Sequence, residues 1–101
     1  MSPVVIWSPK AITCIGRVYN FLAEKNPDAA KTAAALLFKQ AELLEQFPNA
    51  GRPAGDLEPE HREIIIPFGA AGYVLLYHFD EDRATVTVLA VRHQKEVGFS
   101  G

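Results

Sequence analysis

The sequence predicts an α+β domain of order βααβββ, an N-terminal helical hairpin packed on one face of an antiparallel sheet. Three observations carry this. Two helix starts are written as a capping residue followed by proline, Ser8-Pro9 and Asn26-Pro27. Residues 62–98 hold three β-prone runs separated by two tight-turn sequences. A short β-branched run, Val4-Val5-Ile6-Trp7, precedes the first helix and is long enough for one strand. With 101 residues, 49% of them apolar and 22% charged, the span 1–101 reads as a single domain with one core.

The first helix is expected over residues 9–24. Its polar positions Thr13, Gly16, Arg17, Asn20 and Glu24 recur at spacings of three and four, which places them on one narrow stripe. Ala11, Ile12, Ile15, Val18, Tyr19, Phe21 and Leu22 fill the rest. One buried face uses less of the circumference than that. The surplus predicts cover on a second side, by the helical partner in the first instance and by another protein otherwise. The second helix is expected over residues 27–47, ended by Pro48. Asp28, Lys31, Thr32, Lys39, Glu42 and Gln46 fall on one side and Ala30, Ala33, Ala34, Leu37, Ala41 and Leu44 on the other. A link of two or three residues makes the pair an antiparallel hairpin.

Residues 48–60, PNAGRPAGDLEPE, read as a loop. Strands are expected over 62–68, 73–79 and 84–92, with turns at Gly69-Ala70-Ala71-Gly72 and Asp80-Glu81-Asp82-Arg83. Tyr73, Leu75, Tyr77 and Phe79 share one face of the middle strand; Val74, Leu76 and His78 share the other. Neither layer buries its apolar side alone, so the helices cover one sheet face and leave the second for a site.

Charge narrows the function. The net charge is −2 and the pI about 5.9, without the basic excess that usually marks a protein gripping nucleic acid through phosphates. The acids crowd the middle of the chain, so the basic C-terminal end is where an anionic partner would be met. Cys14 is the only cysteine; it excludes an internal disulfide, fits a reducing cytoplasm and reads as a small core residue. No apolar run approaches the roughly 20 residues that span a bilayer, and the N-terminus carries no secretory pattern. A cytoplasmic protein without membrane contact is expected. His61 and His78 read as surface residues, since neither has a second histidine or a cysteine at ligand spacing, and no metal or cofactor is expected.

Several stretches together resemble one family. WSPKA opens the first helix, FLAEKNPDAA spans the helical junction, FPNAGRP follows the second helix, and REIIIPFGAAGYVLLYHF and VTVLAVRHQKE form the sheet. In this order they resemble the RelE/ParE toxin superfamily of bacterial type II toxin–antitoxin modules, most closely its ParE branch. The resemblance covers essentially the whole chain and implies the same βααβββ fold. It also implies one of two activities. RelE-like members cut mRNA on the ribosome with basic side chains on the sheet. ParE-like members poison DNA gyrase. Both are neutralised by an antitoxin, here expected to be ParD-like, a ribbon-helix-helix domain with a disordered tail, and operator DNA would be met only through it.

Against the RelE-like pattern this chain carries Val74 where an arginine is usual, Ile64-Ile65-Ile66 where lysines are frequent, and Phe99 near the terminal tyrosine position. The resemblance therefore implies a gyrase inhibitor that acts by binding, without catalytic residues. Arg92, His93, Gln94 and Lys95 are the candidates for target contact, and Ile12, Val18, Tyr19 and Leu37 for the antitoxin. Two alternatives stay open: a ribosome-dependent endoribonuclease using Arg62, Arg92 and His93, and a non-toxic member that acts only as an antitoxin-bound co-repressor. Arg92 and His93 would point to opposite faces of a straight strand, so a nuclease needs a bend or bulge between them.

Overall fold

A computed structural model describes residues 3–55, 60–69 and 71–94 of the protein. Strand β1 (Val4–Trp7) leads into helix α1 (Pro9–Ala23) and helix α2 (Pro27–Leu43). A two-residue strand β2 (Arg52–Pro53) follows, then β3 (His61–Phe68), β4 (Ala71–Asp80) and β5 (Thr85–His93). The five strands form one sheet in the order β1-β5-β4-β3-β2, with β1 parallel to β5 and the other pairs antiparallel.

Both caps form as the sequence expects. The Ser8 hydroxyl accepts from the Ala11 amide at 3.1 Å, and the Asn26 side chain accepts from the Ala29 amide at 3.1 Å. Each satisfies one of the orphan donors of a first helical turn. Helix α2 ends at Leu43 rather than near Phe47. Residues 44–46 tighten instead into bonds from Leu44, Glu45 and Gln46 back to the carbonyls three residues earlier, a common way to use up the last carbonyls before a proline.

The sheet register decides what each face carries. Val5 and Trp7 on β1, Val86 and Val88 on β5, and Tyr73, Leu75 and Tyr77 on β4 face the helices, where Ala11, Cys14, Ile15, Ala33, Leu37, Ala41 and Leu44 complete the core. The alanine row of α2 is buried, as its pattern predicts. Trp7 packs against the Phe38 ring at 5.0 Å between centroids.

The expected cover of α1 fails. The hairpin partner does not cover the apolar surplus of α1, because Ile12 and Phe21 stay 61% and 62% exposed. The alanines of α2 bring the helices together over Cys14 and Ile15 but are too short to wrap around α1.

β5 contains a bulge. Leu76 pairs with Ala90 and Tyr77 with Val88, so Leu89 is the extra residue. Beyond it the alternation is reversed: Val91 and His93 face the helices, while Ala90 and Arg92 join Leu76 and Val74 on the other face.

Candidate functional site

Two concavities lie at opposite ends of the sheet. The first is a groove of about 620 Å³ between α1 and the end of β5, lined by Cys14, Arg17, Val18, Asn20, Phe21, Glu24 and His93. Its floor is largely apolar, and its rim holds Arg17 and Glu24 on α1. The Arg17 guanidinium approaches the buried Cys14 sulfur at 3.9 Å. His93 stands edge-on to the Tyr73 ring, centroids 5.6 Å apart at 89°. Burial raises the Tyr73 hydroxyl above its usual pKa, so it stays protonated at neutral pH.

The second concavity is an open hollow of about 490 Å³, lined by Asn49, Glu60, Arg62, His78, Phe79, Asp80, Glu81 and Asp82. Arg62 is held in it by a 2.7 Å bond from its guanidinium to the Gly51 carbonyl. The anchoring loop is itself held by Tyr77, whose buried hydroxyl accepts from the Gly51 amide at 2.9 Å and donates to the Pro48 carbonyl at 2.8 Å. Gly51 has no room for a side chain, since a Cβ there would lie 2.7 Å from the Glu63 carbonyl and 2.8 Å from the Tyr77 hydroxyl.

The cations expected of a nuclease do not meet. Arg62 stands opposite Tyr77 and His93 opposite Tyr73, on either side of β4. They are separated by about 13 Å along the strand direction and about 10 Å across it. Arg92 faces away from both, and its guanidinium turns back onto the carbonyls of His93 and Gln94 at 3.3 and 3.4 Å. The bulge that would have to lie between Arg92 and His93 lies at Leu89 instead. Val74 is shielded between Ile65 and Arg92 and is 1% exposed. Glu60, Asp80, Glu81 and Asp82 line the same hollow as Arg62, a poor setting for a phosphodiester.

The residues expected to bind partners distribute unevenly. Val18 and His93 converge in the α1 groove, although the sequence points them to different partners. Gln94 is exposed just beyond β5, tied by its amide to the Gly72 carbonyl at 2.7 Å. Ile12 is exposed outside the lining of the groove, and Tyr19 is half-buried. Leu37 is a correction: it is 0% exposed in the core and offers no surface to an antitoxin. It sits on the same α2 face as the buried alanines, so its periodicity already pointed inward. Lys95 and Phe99 lie outside the described residues. Phe21, absent from the sequence candidates, is the largest exposed apolar side chain of the groove; the surplus on α1 was the signal for it. Among the described residues no helix is long and apolar enough to cross a membrane.

Comparisons with known proteins agree on the family. The profile described as the ParE toxin of the type II toxin–antitoxin system, parDE, matches residues 5–98. Toxin RelE3 of Caulobacter vibrioides is 33% identical over 88 residues, which cover 87% of this chain and 90% of that protein. Toxin RelE1 of the same organism is 36% identical over 77 residues, covering 76% and 80%. Among solved structures, the chromosomal ParDE system of P. aeruginosa superposes with a TM-score of 0.74 at 19% identity, over 91% of this chain and 96% of that one. A mutant E. coli toxin RelE in the free state gives 0.66 at 18% identity, over 94% and 86%. At such identities the structures bear on the fold alone.

Proposed function

Since the chain belongs to the ParE toxin family, and so is a type II toxin of the RelE/ParE superfamily, we propose that it acts by binding DNA gyrase and not by cutting mRNA. The observation that carries this reading is the divergence of Arg62, Arg92 and His93. Cleavage at a 2′-hydroxyl needs a base, an acid and a cation within hydrogen-bond reach of one phosphodiester. Here the three side chains occupy two faces and two ends of the sheet, and the position where the RelE-like pattern has arginine is the shielded Val74.

A cognate antitoxin, of the ParD type, is the second part of the proposal. The α1 groove suits it: Phe21 and Val18 offer apolar contact, and Arg17 and His93 suit an acidic tail. Because the groove ends at His93, a segment lying in it would cover the target-contact candidate His93 at the strand end, with Arg92 on the opposite face of the sheet. Neutralisation by occlusion follows.

Purified protein with gyrase and supercoiled DNA tests the target. The expected result is an accumulated cleavage complex, with mRNA intact after induction in cells. Absence of a complex at micromolar protein, together with codon-spaced mRNA cuts lost in Arg92→Ala and His93→Ala, would replace this reading with the endoribonuclease.

A further inference from the structure

We propose that β1 is the edge through which two copies of this chain pair, strand against strand, about a two-fold axis at Ile6. β1 ends the sheet on one side and β2 on the other. An unpaired edge is a template for another strand, and sheets commonly blunt it with proline, charge or short length. The β2 edge has all three: it is two residues long, one of them is Pro53, and the other, Arg52, pairs with Glu63 at 2.8 Å. β1 has neither charge nor proline, and its residues are Val4, Val5, Ile6 and Trp7.

The parallel ladder decides which groups face out. Val4 donates its amide to the Ala84 carbonyl at 2.9 Å, and Ser8 donates to the Val88 carbonyl at 2.9 Å. Even-numbered positions therefore bond β5, and the amides and carbonyls of Val5 and Trp7 point away from the sheet. Val4 and Ile6 turn their side chains to the face opposite the helices, where they are 61% and 48% exposed. On the helix side the exposed Phe38 ring leans on Trp7 at the same edge.

A second copy meets these features in one register. With Ile6 opposite the second copy's Ile6, Val5 stands opposite its Trp7 and Trp7 opposite its Val5. Each of those pairs exchanges two backbone bonds, so the outward groups of both strands are all used. The two Ile6 side chains meet in a non-hydrogen-bonded pair, with Cα atoms about 4.5 Å apart. The next outward position, Pro3, offers no amide, and α1 begins at Pro9. A longer partner strand would run past the last outward donors, whereas a second β1 ends where they end. An acidic segment gains nothing from an uncharged strand; Arg17 and His93 stand at the α1 groove instead. The chain's net charge of −2 sets little repulsion against self-association. The contact is isologous and stops at two copies, because the β2 edges left outside are blunted. Among the described residues none of β1 lines either concavity, so this surface is separate from both. One short strand per copy buries less than the roughly 1,200 Å² of a standard interface, and the dimer is therefore weak.

Sedimentation velocity of the free full-length protein from about 1 μM to about 1 mM, the range of weak complexes, tests the proposal. Monomer should pass into dimer as concentration rises, without larger species. Ile6→Lys sets two like charges together at the axis and should weaken dimerisation about tenfold or more. A cysteine pair checks the register and stands in should that variant fail to fold. Two copies of Ile6→Cys lie within disulfide reach, whereas two copies of Val4→Cys lie about 13 Å apart along the strands. Oxidised glutathione should therefore cross-link Ile6→Cys and not Val4→Cys. A monomer throughout the range, undiminished dimer in Ile6→Lys, or equal cross-linking at both positions would overturn the proposal. A free protein that stays monomeric while Ile6→Lys weakens antitoxin binding would assign the edge to the antitoxin and overturn it likewise.

Discussion

Replacing Tyr77 by phenylalanine isolates one hydroxyl on which the loop beside the hollow depends. The ring is 0% exposed and stays in place, so packing is preserved while two hydrogen bonds disappear, the one from Gly51 at 2.9 Å and the one to Pro48 at 2.8 Å. Gly51 is buried, and its amide would be left without a partner, at a cost of about 1–3 kcal/mol. The Pro48 carbonyl adds the smaller net value of one neutral bond, about 1 kcal/mol. A loss of about 2–4 kcal/mol follows, or roughly 8–32 °C in melting temperature at the usual 4–8 °C per kcal/mol for a domain near this size. Urea unfolding followed by circular dichroism, with an unchanged m-value, measures it.

The same side chain sets a pH signature. Burial raises the Tyr77 pKa above 10.0, and the opposing pull of the Gly51 bond and the Arg62 charge is smaller. The unfolded chain therefore loses this proton first as pH rises. The resulting stability is complete below pH 10 and is lost as pH climbs through the higher native value. Tyr73 acts in the same direction, so Tyr77→Phe should reduce the alkaline loss without abolishing it. A destabilisation under about 0.5 kcal/mol at neutral pH would refute the argument, since even one net hydrogen bond exceeds it.

Three other substitutions test the assignments. Leu37→Ala should cost about 2–5 kcal/mol in urea unfolding, as a truncated core leucine does, which marks the residue as core and not as antitoxin contact. Phe21→Asp, at a side chain 62% exposed, should change stability by no more than about 0.5 kcal/mol while weakening antitoxin binding about tenfold or more by calorimetry, because it places a charge in an apolar pocket. Asn26→Ala should cost about 1 kcal/mol through the lost cap on the Ala29 amide, measured by thermal unfolding.

Local signals wrote most of the fold. Ser8-Pro9 and Asn26-Pro27 announce their helices by steric and capping rules that need no tertiary information, and Thr85 and Thr87 set against Val86 and Val88 show a strand with one dry face. What stayed hidden depends on pairing between distant residues. Val4–Trp7 reads as a strand, but nothing local says that it pairs in parallel with β5 at the sheet edge. Arg52–Pro53 looks like loop because its strand character comes from β3, where Arg52 opposes Glu63 and bonds its carboxylate at 2.8 Å. The pairing of His61 with His78 is likewise a property of register and not of composition. For the site, the missing nuclease cations were legible in Val74 and Ile64–Ile66, whereas the groove that joins Val18 to His93 exists only once α1 is laid over β5.

The bulge at Leu89 is the step that turns this sheet into a binding platform. Continued without interruption, the alternation that sends Val86 and Val88 inward would send Ala90 and Arg92 inward as well, and would place Val91 and His93 on the opposite face. A guanidinium would then lie under α1, where an uncompensated charge is costly, and the groove would lose the histidine at its end. One extra residue reverses the alternation. Its carbonyl, which a bulge can leave without a ladder partner, accepts from the Ser8 hydroxyl at 3.2 Å, while the Ser8 oxygen accepts from Ala11 at 3.1 Å. The residue that starts α1 thus also secures the bulge, so the helix wall of the groove and the strand end that closes it are positioned by one side chain. This coupling places His93 beside Phe21 and Val18 and leaves Arg92 on the far face, an arrangement suited to partner contact and unsuited to gathering three cations around a phosphodiester.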